Sequence, residues 1–115
     1  LDLLVARVRE ECGGEPAVRV LGFSQGVATM ARWIAFGTTR VERAVAWGGL
    51  LPEDLDLAAL ADRLAGAPLT FVVGDADGHR TVEQVRAQAD LARAAGLATR
   101  VVTFAGGHAL DAGTL

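Results

Sequence analysis

Four short apolar runs, each closed by glycine and each set apart from the next by a stretch of helical periodicity, leave this chain very few architectures. The runs are Val18 to Leu21 before Gly22, Ala44 to Trp47 before Gly48-Gly49, Leu69 to Val73 before Gly74, and Thr99 to Phe104 before Ala105-Gly106-Gly107. They are too short to be core helices and rich enough in β-branched residues to be strands. Strands that return to one sheet through helices do so by right-handed crossovers. The alternation therefore predicts an α/β chain, a parallel sheet with helices on both faces. The fourth run alternates more and is more polar than the others, as a strand near an edge would be.

The intervening segments fit helices. Leu1, Leu4, Val5 and Val8 recur at helical spacing, and Gly13-Gly14 and Pro16 are the stop signals. Val27, Met30, Ala31 and Ile34 mark a second helix that ends near Gly37. Leu55, Leu57, Leu60 and Leu64 mark a third, closed by Gly66 and Pro68. Thr81 with Gln84 spells a capping box that opens a fourth through Val85, Ala89 and Ala92 to Gly96.

Composition narrows the function classes. A length of 115 residues fits one domain, and 51% hydrophobic residues suffice for a packed core. A net charge of -3, with every cation an Arg scattered among acids, argues against nucleic-acid binding and against a polybasic membrane segment. The longest uncharged run, Val20 to Ala31, is too short for a membrane span. Cys12 is the only cysteine, so no disulfide forms within the chain; a reducing, cytoplasmic location is the expectation, with Cys12 a small buried or half-buried residue.

In open parallel sheets, sites form outside the carboxyl ends of the strands. Three of the four loops at that end carry groups fit for nucleophilic catalysis. Gly22-Phe23-Ser24-Gln25-Gly26 is a G-x-S-x-G sequence between a strand and a helix. A turn this sharp strains the serine backbone, raises its hydroxyl clear of the chain and asks for glycine on either side, where side chains would collide with neighbouring elements. It also puts Ser24 at a helix N-terminus, with the Gln25 N–H free to bind an oxyanion.

The third loop, Gly74-Asp75-Ala76-Asp77-Gly78-His79, offers two carboxylates. Asp75 lies closer to the strand, where it can cap loop N–H groups, and Asp77 farther out, where it can reach across the sheet. The D-x-D pair beside His79 lacks the further oxygens of a calcium loop, so no metal is expected. The fourth loop ends in Gly106-Gly107-His108. His79 would share a loop with its own orienting acid, so His108 is the preferred base, giving the chain order Ser, Asp, His. Trp47 and Leu50 border the same end and are candidates to line an acyl pocket. Trp33, on the helix after the elbow, reads as packing.

These motifs resemble the carboxylesterase, phospholipase and acyl-protein thioesterase branch of the α/β-hydrolases. Val-Leu-Gly-Phe-Ser-Gln-Gly at 20–26, Gly-Asp-Ala-Asp at 74–77 and Gly-Gly-His at 106–108 carry the resemblance, over nearly the whole chain. The family's glycine-x-x-aspartate pattern implies Asp77 as the acid. The Gly78-His79-Arg80-Thr81 sequence that follows departs from the family's usual valine-proline pair. The resemblance implies that residues 1–115 are a partial α/β-hydrolase domain, its C-terminal half, with earlier strands and the oxyanion loop outside this sequence. It implies a serine esterase acting on small-molecule or acyl esters through Ser24, Asp77 and His108, with no metal or organic cofactor.

Overall fold

The parallel ladder runs without interruption from the first strand to the last. In the computed structural model, which describes residues 1–14 and 17–115, the elements are α1 (Asp2–Cys12), β1 (Arg19–Phe23), α2 (Gly26–Phe36), β2 (Arg43–Trp47), α3 (Leu57–Leu64), β3 (Leu69–Gly74), α4 (Val82–Ala94) and β4 (Thr99–Phe104). The strands form one sheet in the order β1-β2-β3-β4, every pair parallel. β4 is an edge strand, as its polar alternation predicts, and β1 is the opposite edge.

Alternation along the strands sorts two faces. Val20, Ala44, Ala46, Leu69, Phe71, Val73 and Val101 point to one side, where they pack with Val27, Met30 and Ile34 of α2, Leu60 and Leu64 of α3, and Val85, Ala89 and Ala92 of α4. This is the core, and the buried stripes of all three helices meet on that face. The other face carries Leu21, Val45, Thr70, Val72 and Val102, with Arg43 and Arg100 at its rim and Thr114 and Leu115 folded against it. In this chain, then, one of the two faces expected to carry helices does so.

The local signals act as their chemistry demands. Thr81 Oγ1 accepts from Gln84 N at 3.1 Å, and Gln84 Oε1 accepts from Thr81 N at 3.0 Å, closing the capping box of α4. α3 starts two residues later than the apolar spacing suggests, because Asp56 Oδ1 accepts from Ala58 N and Ala59 N and fixes Asp56 as the N-cap. Gly13 ends α1 in the left-handed conformation, its N–H donating to Arg9 O; Pro16 lies outside the described residues. The apolar stripe of α1 is largely uncovered: Leu1, Leu4 and Val8 are exposed and Val5 is half-buried. Cys12 is exposed as well, contrary to the buried position expected of it, because it sits on this same unburied helix.

What ties α1 down is polar. Asp2 accepts hydrogen bonds from Trp33 Nε1 at 2.9 Å, Thr39 Oγ1 at 2.6 Å, Thr38 N at 3.0 Å and Thr39 N at 3.2 Å. Trp33 thus packs on the core and also donates to this carboxylate. The Thr39 hydroxyl, ahead of the other donors, pulls the Asp2 pKa from 3.8 to about 2. A carboxyl depressed in the folded state contributes stability that is present above its unfolded pKa and lost as pH falls through the folded one. Acid titration of the fold should therefore show a loss between about pH 4 and pH 2 in the wild type. Asp2→Asn should be less stable at neutral pH and flatter across that window, as read by circular dichroism.

Candidate active site

At the carboxyl end of the sheet the ladder continues past the strands. Ser24 N donates to Trp47 O at 2.8 Å, Gly48 N to Val72 O at 2.8 Å, and Asp75 N to Phe104 O at 2.9 Å. Each loop therefore leaves the sheet from a fixed level. Ser24 takes a positive φ of 56°, a strained conformation for a residue with a side chain. A Cβ on Gly22 would lie 2.6 Å from Gly26 O and 2.9 Å from the Val27 Cα, so only glycine lets α2 pack this closely on β1. Gly26 is different: a Cβ there would meet nothing within 4 Å. The collision expected at both flanking glycines occurs at Gly22 and not at Gly26, which opens α2 on a side that nothing among the described residues approaches.

The other two loops converge on Ser24. A Cβ on Gly74 would lie 2.3 Å from Gly106 O and 2.5 Å from Gly107 O, so the fourth loop lies directly across the end of β3. Asp75 Oδ1 accepts from Gly106 N at 3.2 Å and ties the two loops together. His108 Nε2 lies 2.9 Å from Ser24 Oγ, and its Nδ1 lies 2.8 Å from Asp77 Oδ2. Asp77 Oδ1 accepts from His79 N at 2.7 Å and Arg80 N at 3.0 Å. Burial works to raise the Asp77 pKa, but the hydrogen bond from His108 and the two backbone N–H groups outweigh it, and the carboxyl titrates below its ordinary value.

Solved structures with this arrangement of strands and helices exist. The acyl-protein thioesterase 2 of Zea mays matches with a TM-score of 0.67 at 23% identity, over 97% of this chain and 58% of its own. The Bacillus cereus carboxylesterase matches with a TM-score of 0.70 at 15% identity, over 98% of this chain and 52% of its own. Arabidopsis thaliana SOBER1 matches with a TM-score of 0.68 at 17% identity, over 94% of this chain and 54% of its own. This chain has an α/β-hydrolase fold. It spans about half the length of these structures. No protein-family model and no curated protein matches the sequence.

In this α/β-hydrolase fold a cleft of about 500 Å³ opens above Ser24, lined by Phe23, Gln25, Gly48, His79, Arg80 and His108. The Gln25 N–H, at the N-cap of α2, makes no hydrogen bond among the described residues. Trp47 and Leu50 are not among the walls. Trp47 is 2% exposed, stacks at a tilt on Phe104 with centroids 5.6 Å apart, and donates from Nε1 to Ala109 O at 2.9 Å, so it clamps the His108 loop from beneath. Leu50 packs against the core cluster.

Four wall residues, Phe23, Gly48, His79 and Arg80, have no pocket role in the sequence reading, which weighs His79 only as a rival base. The Phe23 ring lies 5.1 Å from that of His108, and the His79 ring 4.6 Å from it. His79 and Arg80 follow Asp77 on the same short loop, which is the signal that they share its end of the sheet. Among the described residues no helix is long and apolar enough to cross a membrane.

The close approach at Gly74 has a direct test. Gly74→Ala should force the His108 loop off the sheet and cost about 1–3 kcal/mol, as overpacking does. Gly78→Ala, whose added Cβ meets nothing within 4 Å, is the control. Denaturant unfolding should separate the two variants, and amide exchange at residues 105–109 should rise in Gly74→Ala alone.

Proposed function

We propose that this chain carries the reacting groups of a serine hydrolase that cleaves carboxylic ester or thioester bonds. The observation that carries the reading is the unbroken line of hydrogen bonds from Ser24 Oγ through His108 to Asp77, at the carboxyl end of an α/β-hydrolase sheet. The kinship of fold with a carboxylesterase and an acyl-protein thioesterase supports the same reaction class.

His108 Nε2 takes the proton as Ser24 Oγ attacks the carbonyl carbon. Asp77 accepts the Nδ1–H, selects the tautomer that leaves Nε2 free to act as base, and stabilises the imidazolium that forms. Its depressed pKa keeps it ionised for that task through mildly acidic pH. The carbonyl oxygen becomes an oxyanion within reach of the Gln25 N–H at the start of α2. Collapse of the tetrahedral species breaks the bond to the alcohol or thiol, which leaves with the proton from His108. Water then attacks the acyl-serine, giving its proton to His108, and the acid departs as Ser24 recovers its own. Every proton in the cycle moves through His108.

In the complete protein, Ser24→Ala should stay folded and lose ester hydrolysis by on the order of a millionfold, because the members of such a site act as a unit. A fluorophosphonate probe should label Ser24 in the wild type and nothing in that variant. Ordinary turnover by Ser24→Ala would sink the assignment.

The two aspartates separate cleanly. Asp77→Asn should drop kcat by about 10⁴-fold through loss of the tautomer it holds. Asp75→Asn removes one hydrogen bond to Gly106 N and should stay within about tenfold of the wild type. Measured kcat/KM for the two folded variants decides; the reverse order would give the acid role to Asp75.

A further inference from the structure

The acyl-transfer cycle leaves one wall of the cleft without a task. That wall is His79 and Arg80. Asp77 accepts from both of their backbone N–H groups, so their place is locked to the site even though both side chains are exposed. The Arg80 guanidinium donates through Nη1 to His79 O at 2.9 Å and pairs with no carboxylate among the described residues. Of the acids nearest in sequence, Asp77 is engaged with His108 and Asp75 with Gly106 N, and Glu83, three residues on in the first turn of α4, makes no ion pair with Arg80. No Asp or Glu lines the cleft.

A guanidinium without a counter-ion among the described residues, on a residue that lines the cavity holding the reacting serine, presents a fork of N–H donors suited to a carboxylate. The volume of about 500 Å³ lies within the range of small-molecule sites. We propose that Arg80 is a specificity-determining residue that binds a carboxylate on the substrate, with His79 as the adjoining wall, so that the preferred esters are anionic. The inference rests on the reading of Ser24 as nucleophile. It adds the charge of the substrate to that reading. The carboxylate belongs either to the acyl part or to the leaving alcohol, and the two are distinguishable.

In the complete protein, kcat/KM would be measured for 4-nitrophenyl hemisuccinate, with the anion on the acyl side, against neutral 4-nitrophenyl butyrate. On the alcohol side, 4-acetoxybenzoate would be measured against phenyl acetate. One anionic-to-neutral ratio should fall about tenfold in Arg80→Gln, recover in part in Arg80→Lys, and fall in the wild type as salt is raised. Both ratios unchanged in Arg80→Gln, whatever its overall rate, would overturn the proposal. A check that needs no variant is inhibition of the wild type by succinate against succinamide: succinate should be the stronger, and equal inhibition also overturns it. Failure of every ester together with an unlabelled Ser24 would instead remove the serine-hydrolase reading beneath it.

Discussion

Parallel pairing in a continuous register is the constraint on which the rest of the structure depends. Ser24, Asp77 and His108 are spread over most of the sequence, yet each stands just beyond a strand that ends at the same side of one sheet. The ladder bonds that run past the strands, from Ser24 N to Trp47 O and from Asp75 N to Phe104 O, set the height at which each loop departs. With the backbone fixed there, short side chains suffice to close the distances to 2.8 and 2.9 Å. For the proposed reaction, preorganisation of this kind would place the cost of alignment in folding instead of in each turnover.

Asp77 is where the electrostatics of the site are decided. Burying a carboxylate is costly, and that cost is met here by donors on both of its oxygens. One oxygen holds the imidazole of His108 and the other holds the backbone of His79 and Arg80. The same charge therefore orients the proposed base and shapes the wall beside it. Asp75, two residues earlier, serves a different purpose by bracing the fourth loop at Gly106.

Much of this was legible in the sequence because it is encoded locally. Glycine-closed apolar runs gave four strands, the Thr81–Gln84 spacing gave a capping box, and the strained turn at Ser24 follows from a short motif between strand and helix. The choice between Asp75 and Asp77 needed the family resemblance, since both lie on one loop and only the path of the backbone after Gly74 separates them. Trp47 shows the limit from the other side. A tryptophan at a strand end borders the site by topology, but which way its ring turns depends on Phe104 and on the carbonyl of Ala109, neither of which its local sequence encodes. Cys12 was misjudged for a related reason: helical periodicity gave α1 correctly, but it reports that a face is apolar, not that something covers it.

That distinction separates two demands on the sheet. The covered face supplies the core, whereas the opposite face leaves Leu21 at 41% exposure beside Val45, Thr70 and Val102, an unusual condition for a parallel sheet. From that face the site draws the hydrogen bond of Trp47, two residues beyond Val45 on β2. Its contacts run through loop backbone, through Gly22 and Gly74 where nothing larger fits, and through Trp47, which reaches the His108 loop at the top of the sheet. Alignment of the proposed reacting groups thus follows from the ladder and the loops, while cohesion of the sheet depends on how much apolar surface its two faces bury.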